Sequence, residues 1–175
     1  MAKLFIPKYH ATNVFEIDND FYLSNGIKYI LCDLDNTLDS YRLYTPSLRV
    51  FEWKARIEQL GIQIIIISNN KGKRVESYAS KLGVLYCSST GKPFKGKLLK
   101  FLKNNNINPS LCVLIGDQLI TDVACGNRAK ITTILTEPVV KEDQWTTRFN
   151  RLIDRPLRKR LKKRGKLQSW RCKDE

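Results

Sequence analysis

Between residues 28 and 135, short apolar runs alternate with stretches of helical periodicity, and that alternation leaves few folds open. Tyr29-Ile30-Leu31-Cys32, Ile62-Gln63-Ile64-Ile65-Ile66-Ile67 and Leu111-Cys112-Val113-Leu114-Ile115 are too short for helices and rich in β-branched side chains. Val84-Leu85-Tyr86-Cys87 and Ile131-Thr132-Thr133-Ile134-Leu135 read as further strands. Between them lie helical patterns. Pro46 to Leu60 carries Val50, Trp53, Ile57 and Leu60 and stops at Gly61. Val75, Tyr78, Ala79 and Leu82 precede Gly83, and Phe94, Leu98, Phe101 and Leu102 precede Asn104-Asn105-Asn106. Another helix is predicted from near Thr121 to Ala129. Strand and helix in strict alternation predict an α/β fold, a doubly wound parallel sheet with helices on both faces.

The three strongest strands end in polar clusters: Asp33-x-Asp35-Asn36-Thr37, Ser68-Asn69-Asn70 and Gly116-Asp117. In a parallel sheet such ends share one edge, where ligands bind. Asp33 and Asp35 would point to opposite sides of an extended strand, so the chain must turn after Asp33 if both serve one site. Asn36-Thr37 supplies turn chemistry. A carboxylate here can attack phosphorus, and a second can move the proton of the leaving oxygen. Thr37, Ser68 and the backbone N–H groups near Asn69 can bind phosphoryl oxygens. Lys92, in the loop past Cys87, can offset phosphate charge and hold the nucleophile. Gly116 permits close backbone approach. The crowded acids call for a cation that prefers oxygen ligands, magnesium being the natural choice. Asp117 completes its shell and Asp122, five residues on, supports it. Taken singly, each cluster is ordinary cap or turn chemistry. Their order along the chain, each at a strand end, points to a site.

Other classes recede. The five cysteines form no Cys-x-x-Cys pair, and Cys32 and Cys112 sit inside apolar runs, which suits a reducing compartment and hence the cytoplasm. A lone histidine, His10, excludes a histidine-rich zinc site and disfavours a Ser-His-Asp triad. The N-terminal apolar run is too short for a signal peptide, and nothing approaches the ~20 apolar residues of a membrane span. The net charge of +14 favours anionic partners: phosphorylated substrates, nucleic acid or an anionic membrane.

Asp33-Leu34-Asp35-Asn36-Thr37-Leu38, Ser68-Asn69, Lys92-Pro93 and Gly116-Asp117-Gln118-Leu119-Ile120-Thr121-Asp122 resemble the four motifs of the haloacid dehalogenase (HAD) superfamily, in the family's order. The resemblance implies roles. Asp33 is the nucleophile. Asp35 is the general acid/base and gives its backbone carbonyl to magnesium. Thr37 and Ser68 bind phosphate, Lys92 is the motif lysine, and Asp117 is the metal acid. An aspartate at position 35 resembles the phosphatases rather than the dehalogenases or ATPases. Only 32 residues separate Asp35 from Ser68 and 23 separate Ser68 from Lys92, so neither gap holds a large cap domain. The chain thus resembles the capless subclass, whose open site admits bulky substrates.

Together with Gly26-Ile27-Lys28 and the stretch Thr147-Arg148-Phe149-Asn150-Arg151…Arg155-Pro156-Leu157, these motifs resemble the YqeG-like group. That group is similar to mitochondrial phosphatidylglycerophosphate phosphatases. The implied activity is magnesium-dependent dephosphorylation of phosphatidylglycerophosphate to phosphatidylglycerol, at the inner membrane face. Two alternatives stay open: a phosphatase acting on a soluble or nucleic-acid phosphate, and an RNA- or ribosome-binding protein with a vestigial site.

Three regions are expected. Residues 1–27 hold apolar side chains without a clean period and either pack on the domain or lie in a membrane interface. Residues 28–140 form the phosphatase domain. Residues 141–175 form a basic helix or tail, in which residues 148–166 hold ten Lys/Arg against Asp154 alone. Ile153, Leu157 and Leu161 give that helix a narrow apolar stripe suited to an anionic membrane, with Pro156 kinking or starting it. The same cations suit RNA. Trp170 either anchors at an interface or is idle.

Overall fold

Six strands hydrogen-bond side by side in a computed structural model that describes residues 3–140 and 145–171. They are β1 (Tyr9–Ala11), β2 (Tyr29–Asp33), β3 (Gln63–Ile67), β4 (Leu85–Cys87), β5 (Cys112–Gly116) and β6 (Thr132–Thr136). Every pairing is parallel and the order is β1-β6-β5-β2-β3-β4. Central β2 pairs with β3 on one side and β5 on the other, so its polar end sits in the middle of the carboxyl edge.

The helices are α1 (Asn19–Ser24), α2 (Leu48–Gln59), α3 (Lys73–Leu82), α4 (Gly96–Asn104), α5 (Ala124–Ala129) and α6 (Trp145–Lys163). Alternation along each strand divides the core into two layers. Ile30, Cys32, Ile64, Ile66, Val113 and Ile115 pack with Val50, Trp53 and Ile57 of α2, Val75, Tyr78 and Leu82 of α3, and Phe21 and Tyr22 of α1. Leu31, Ile65, Ile67 and Leu114 face the other way, onto Leu98 and Leu102 of α4 and Cys125 and Ala129 of α5. The observed architecture is the doubly wound parallel sheet expected, without a large cap. Each fully buried Ile or Leu contributes roughly 1.5–3 kcal/mol relative to exposure.

Several boundaries differ from those read in the sequence. α2 begins at Leu48 rather than Pro46, because Ser47 stays extended and its N–H is taken by the Asp39 carboxylate at 3.0 Å. The helix expected from Thr121 opens as a wide π-type turn, Leu119–Val123, before α5. Strand β1 has three residues and no readable period, yet it pairs with β6. Around it Tyr9, Ala11, Val14, Ile17, Phe21 and Tyr22 are buried in the main core layer.

The C-terminal region packs on the domain. Leu161 is buried against Leu119, Val123 and Leu135, with Leu157 and Leu167 half-buried beside it. The apolar stripe expected for a membrane therefore turns inward at Leu157 and Leu161, and only Ile153 stays exposed. α6 runs through Pro156, which neither starts nor ends it. Past α6, the N–H of His10 donates to Gln168 O at 2.6 Å and the N–H of Trp170 donates to His10 O at 3.1 Å, flanking the outer side of β1. Trp170 is buried edge-on to Phe21, so it is a core residue rather than an interface anchor. The side chains of residues 147–151, which carry part of the resemblance, lie outside the described residues. Among the described residues, no helix is long and apolar enough to cross a membrane.

Candidate active site

β2 delivers Asp33 to the carboxyl edge and ends there. The chain then turns through Asn36 in the left-handed region (φ 66°), where Asn is tolerated better than most residues. The Asn36 N–H donates to Asp39 O at 2.8 Å and closes the loop. This turn brings the Thr37 hydroxyl back to 3.4 Å from both Asp33 Oδ2 and Asp117 Oδ1. Asp117 follows β5 and is fully buried. The π-type turn carries Asp122 to the same place, where its Oδ2 accepts from the Gln118 N–H at 3.1 Å. Carboxylate oxygens of Asp33, Asp117 and Asp122 lie within 4.8 Å of one another.

Gly116 makes that approach possible. A Cβ there would stand 2.3 Å from Cγ of Asp122, so any side chain at the last position of β5 would expel the carboxylate. This is close approach of side chain to backbone, the second use of glycine besides positive φ.

Lys92 lies in the loop after β4, and its Nζ is 2.6 Å from both Asp33 Oδ1 and Asp122 Oδ1. The loop is held by Asn69. Its Nδ2 donates to Lys92 O at 2.8 Å, and its Oδ1 accepts from the Lys92 N–H at 2.7 Å and the Thr90 hydroxyl at 2.9 Å. The Asn69 side chain is thus committed to positioning the lysine; the phosphate role expected at this position is one for its backbone N–H groups. Ser68 is buried at the end of β3, with its Oγ accepting from the Asn70 N–H at 3.1 Å.

Asp35 is apart from the cluster. Its carboxylate leans toward the start of α3, where Asn70 Nδ2 donates to Oδ2 and Arg74 Nη1 pairs with Oδ1, both at 2.5 Å. β2 ends at Asp33, and the two carboxylates have different partners, Lys92 for Asp33 and Asn70 and Arg74 for Asp35.

Electrostatics follow from burial. Desolvation pushes the Asp33 carboxyl well above its usual range; Lys92 opposes this, and Asp122 and Asp117 add to it. Burial alone would lower the Lys92 pKa, but Asp122 and Asp33 reverse that and hold the ammonium charged. One buried cation among three buried carboxylates leaves excess negative charge. The oxygen-only donor set and the side-chain-free cradle at Gly116 fit a hard divalent cation, with Asp33, Asp117 and Asp122 placed to hold it.

Sequence reasoning missed Arg74, Arg158 and Asp154, and gave Asn70, part of a polar strand end, no role of its own. Arg158 Nη2 donates to Asp117 O at 2.6 Å and to Thr136 O at 3.1 Å. Asp154 is buried, and its Oδ1 accepts from the N–H groups of Leu119 (2.6 Å) and Ile120 (3.2 Å), capping the π-type turn. The sequence did hold a signal for Asp154, the one acid among ten cations in residues 148–166.

Comparison with known proteins places this geometry. A family described as HAD-hydrolase-like matches residues 89–154, which contain Lys92, Asp117 and Asp122. The chain is 35% identical over 168 residues to a Bacillus subtilis (strain 168) protein named Probable phosphatase YqeG, covering 96% of this chain and 98% of that one. It is 26% identical over 171 residues to phosphatidylglycerophosphate phosphatase 1, chloroplastic/mitochondrial, of Arabidopsis thaliana, covering 91% of this chain and 49% of that relative. A crystal structure of an uncharacterized Listeria monocytogenes serotype 4b protein shares the fold at a TM-score of 0.54. The identity there is 15%, covering 67% of this chain and 84% of that one. The chain therefore belongs to the HAD-like hydrolase family, as an enzyme of the phosphatase type.

Proposed function

We propose that the protein hydrolyses phosphate monoesters through an aspartyl-phosphate on Asp33, with phosphatidylglycerophosphate as substrate and phosphatidylglycerol as product. The observation that carries the chemistry is the Lys92 ammonium, 2.6 Å from Asp33 and from Asp122. It fixes the nucleophile's carboxylate and offers positive charge where the phosphoryl group must arrive.

Asp33 attacks phosphorus and forms an O–P bond as the bond to the alcohol oxygen breaks. The carboxylic acid of Asp35 gives its proton to that departing oxygen. Asp35, now a carboxylate, takes a proton from water; the water oxygen bonds phosphorus, the acyl-phosphate bond breaks, and inorganic phosphate and Asp33 are restored. Thr37 and Ser68 donate hydroxyl hydrogen bonds to the phosphoryl oxygens. Asp33, Asp117 and Asp122, with the Asp35 backbone carbonyl that the family resemblance adds, would hold a magnesium ion, which would supply charge neutralisation at the transferring group.

A lipid monoester is supported by the named activity of the Arabidopsis relative and by the absence of a large cap over the carboxyl edge. The cationic outward face of α6, with Arg155, Lys159, Arg160, Lys162 and Lys163 exposed, supports peripheral association with the inner membrane face.

The test is magnesium-dependent phosphate release from phosphatidylglycerophosphate in mixed micelles, beside a panel of soluble phosphomonoesters, comparing wild type with Asp33→Asn. Rapid release from the lipid, abolished by the substitution, is expected. Release confined to a soluble ester would discard the lipid and keep the chemistry. Unchanged release by Asp33→Asn would remove the nucleophile.

A further inference from the structure

We propose that the carboxyl edge of the sheet is itself a membrane-docking surface, on which exposed apolar side chains set among cations seat the open site against an anionic bilayer. The biological sense of this surface rests on the lipid-monoester reading above. Its physical basis lies in where the fold leaves large apolar side chains uncovered.

Leu43, Tyr44, Leu48, Phe94, Val139 and Leu152 are between 41% and 73% exposed. Every one belongs to a segment tied to the carboxyl edge. Leu43 and Tyr44 lie in the loop after β2, and Leu48 opens α2 directly behind it. Phe94 is two residues beyond Lys92, in the loop after β4. Val139 follows β6, and its N–H donates to Asn36 O at 2.8 Å, in the loop of the nucleophile. Leu152 lies two residues before Asp154, which caps the turn between Asp117 and Asp122. From β6 to β4 the edge spans four strand spacings, about 19 Å. Apolar side chains are thus distributed across the mouth rather than gathered in one hole.

The charges around them select the partner. Residues 68–75 and 88–104, which follow β3 and β4, and residues 40–51, the part of the segment after β2 that lies beyond Asp35 and Asp39, contain no Asp or Glu. Within them Arg42, Lys71, Lys73, Lys95 and Lys97 are exposed. Aliphatic side chains interspersed with exposed cations fit a bilayer with anionic headgroups, which takes the apolar groups below its phosphates and the cations at their level. Nucleic acid would use the cations and the two aromatic rings, but has no use for Leu43, Leu48, Val139 and Leu152. Scattered exposed apolar residues are normal on any protein. Here six of the twelve exposed large apolar side chains among the described residues lie around the mouth of the site, beside the acid-free stretches 40–51, 68–75 and 88–104, and that coincidence is what a docking face requires. The surface also differs from the stripe on α6, whose Leu157 and Leu161 are taken up by the domain.

The experiment uses the full chain and vesicles of phosphatidylcholine, with or without phosphatidylglycerol. Leu48→Asp/Leu152→Asp alters two exposed edge positions, 73% and 72% exposed, neither of them a catalytic residue. Leu23→Asp/Leu111→Asp makes the same change of charge at exposed positions on α1 and just before β5, away from the carboxyl edge. Co-sedimentation of wild type with the anionic vesicles is expected. A loss of at least about tenfold is expected for the edge pair and less than about twofold for the control pair. Thermal unfolding and hydrolysis of p-nitrophenyl phosphate should be the same in all three proteins. Equal binding by the two pairs overturns the proposal, as does wild type that ignores vesicles or binds an RNA oligomer in their place. Edge-dependent vesicle binding without hydrolysis of any lipid monoester leaves the docking face standing and removes the lipid substrate. Hydrolysis of lipid monoester unaffected by the edge pair does the reverse.

Discussion

The Arg158 guanidinium donates from Nη2 to the main-chain carbonyl of Asp117 at 2.6 Å, so the basic C-terminal helix reaches the backbone of the acidic cluster. The same group donates to Thr136 O and pairs with Glu137 Oε1 at 2.9 Å, tying together the ends of β5 and β6. Arg158→Ala leaves the Asp117 and Thr136 carbonyls without this donor and removes one of the ties between α6 and the edge, the Asp154 cap and buried Leu161 remaining. We expect the magnesium concentration for half-maximal activity to rise roughly 10-fold or more, the size typical of groups that orient metal ligands. Arg158→Lys should recover little, since one ammonium cannot reproduce a fork that reaches three acceptors. Magnesium titration of phosphate release checks both.

Gly116→Ala is expected to damage stability and activity together. The new methyl would meet Cγ of Asp122 at 2.3 Å and Oδ2 at 2.6 Å, and Asp122 is locked by Lys92 on one side and the Gln118 N–H on the other. Overpacking at a rigid site costs about 1–3 kcal/mol. Displacing Asp122 also removes one of the two carboxylates that hold Lys92. Denaturant unfolding and phosphate release on the same preparation would show both losses; a variant with wild-type activity would show that Asp122 is not needed where it lies.

Much of this was legible beforehand because the hydrophobic period and the polar strand ends are local properties. Ile62–Ile67 must be a buried strand, and Asp33, Ser68 and Asp117 must share an edge once the strands are parallel. What stayed hidden depends on tertiary pairing. Asn69 reads as a source of backbone N–H groups for phosphate, and nothing local shows that its side chain holds the Lys92 loop, a partner 23 residues away. β1 is too short to show alternation and exists because β6 offers it an edge. The stripe on α6 was visible, but amphipathicity does not say whether a helix turns to lipid or to its own domain. Asp154 bears on that, because a buried acid needs donors, and the N–H groups of Leu119 and Ile120 are among those that supply them.

Acid should loosen the attachment of the C-terminal helix through Glu137. Its carboxyl accepts from the His10 ring at 2.9 Å and pairs with Arg158, and these hold its pKa down to about 2 from an ordinary 4.5. A depressed folded-state pKa means that the unfolded chain binds the proton more readily. The stabilisation is therefore complete above about pH 4.5 and lost as pH falls toward 2. Because the side chain is 46% exposed, solvent screening keeps the effect modest. Urea midpoints measured from pH 6 to pH 2.5 should fall less steeply for Glu137→Gln than for wild type, the two curves converging at the acid end.

Asp35 is held by Arg74, and the consequence should depend on the leaving group. Arg74 Nη1 lies 2.5 Å from Asp35 Oδ1, while its Nε and Nη2 donate to Leu43 O and Ser40 O, so the arginine sets both the acid and the loop beside it. Arg74→Met keeps the stem and removes the pairing. If Arg74 positions the proton donor, an alkyl phosphate, whose departing alkoxide needs that proton, should lose on the order of 10-fold or more in kcat. A p-nitrophenyl ester leaves as a stabilised phenolate and should lose far less. KM should change little for either, since Arg74 acts through Asp35 rather than on the phosphoryl group. Equal losses on both esters would mean that the arginine serves the fold of the 40–46 loop and not the proton transfer.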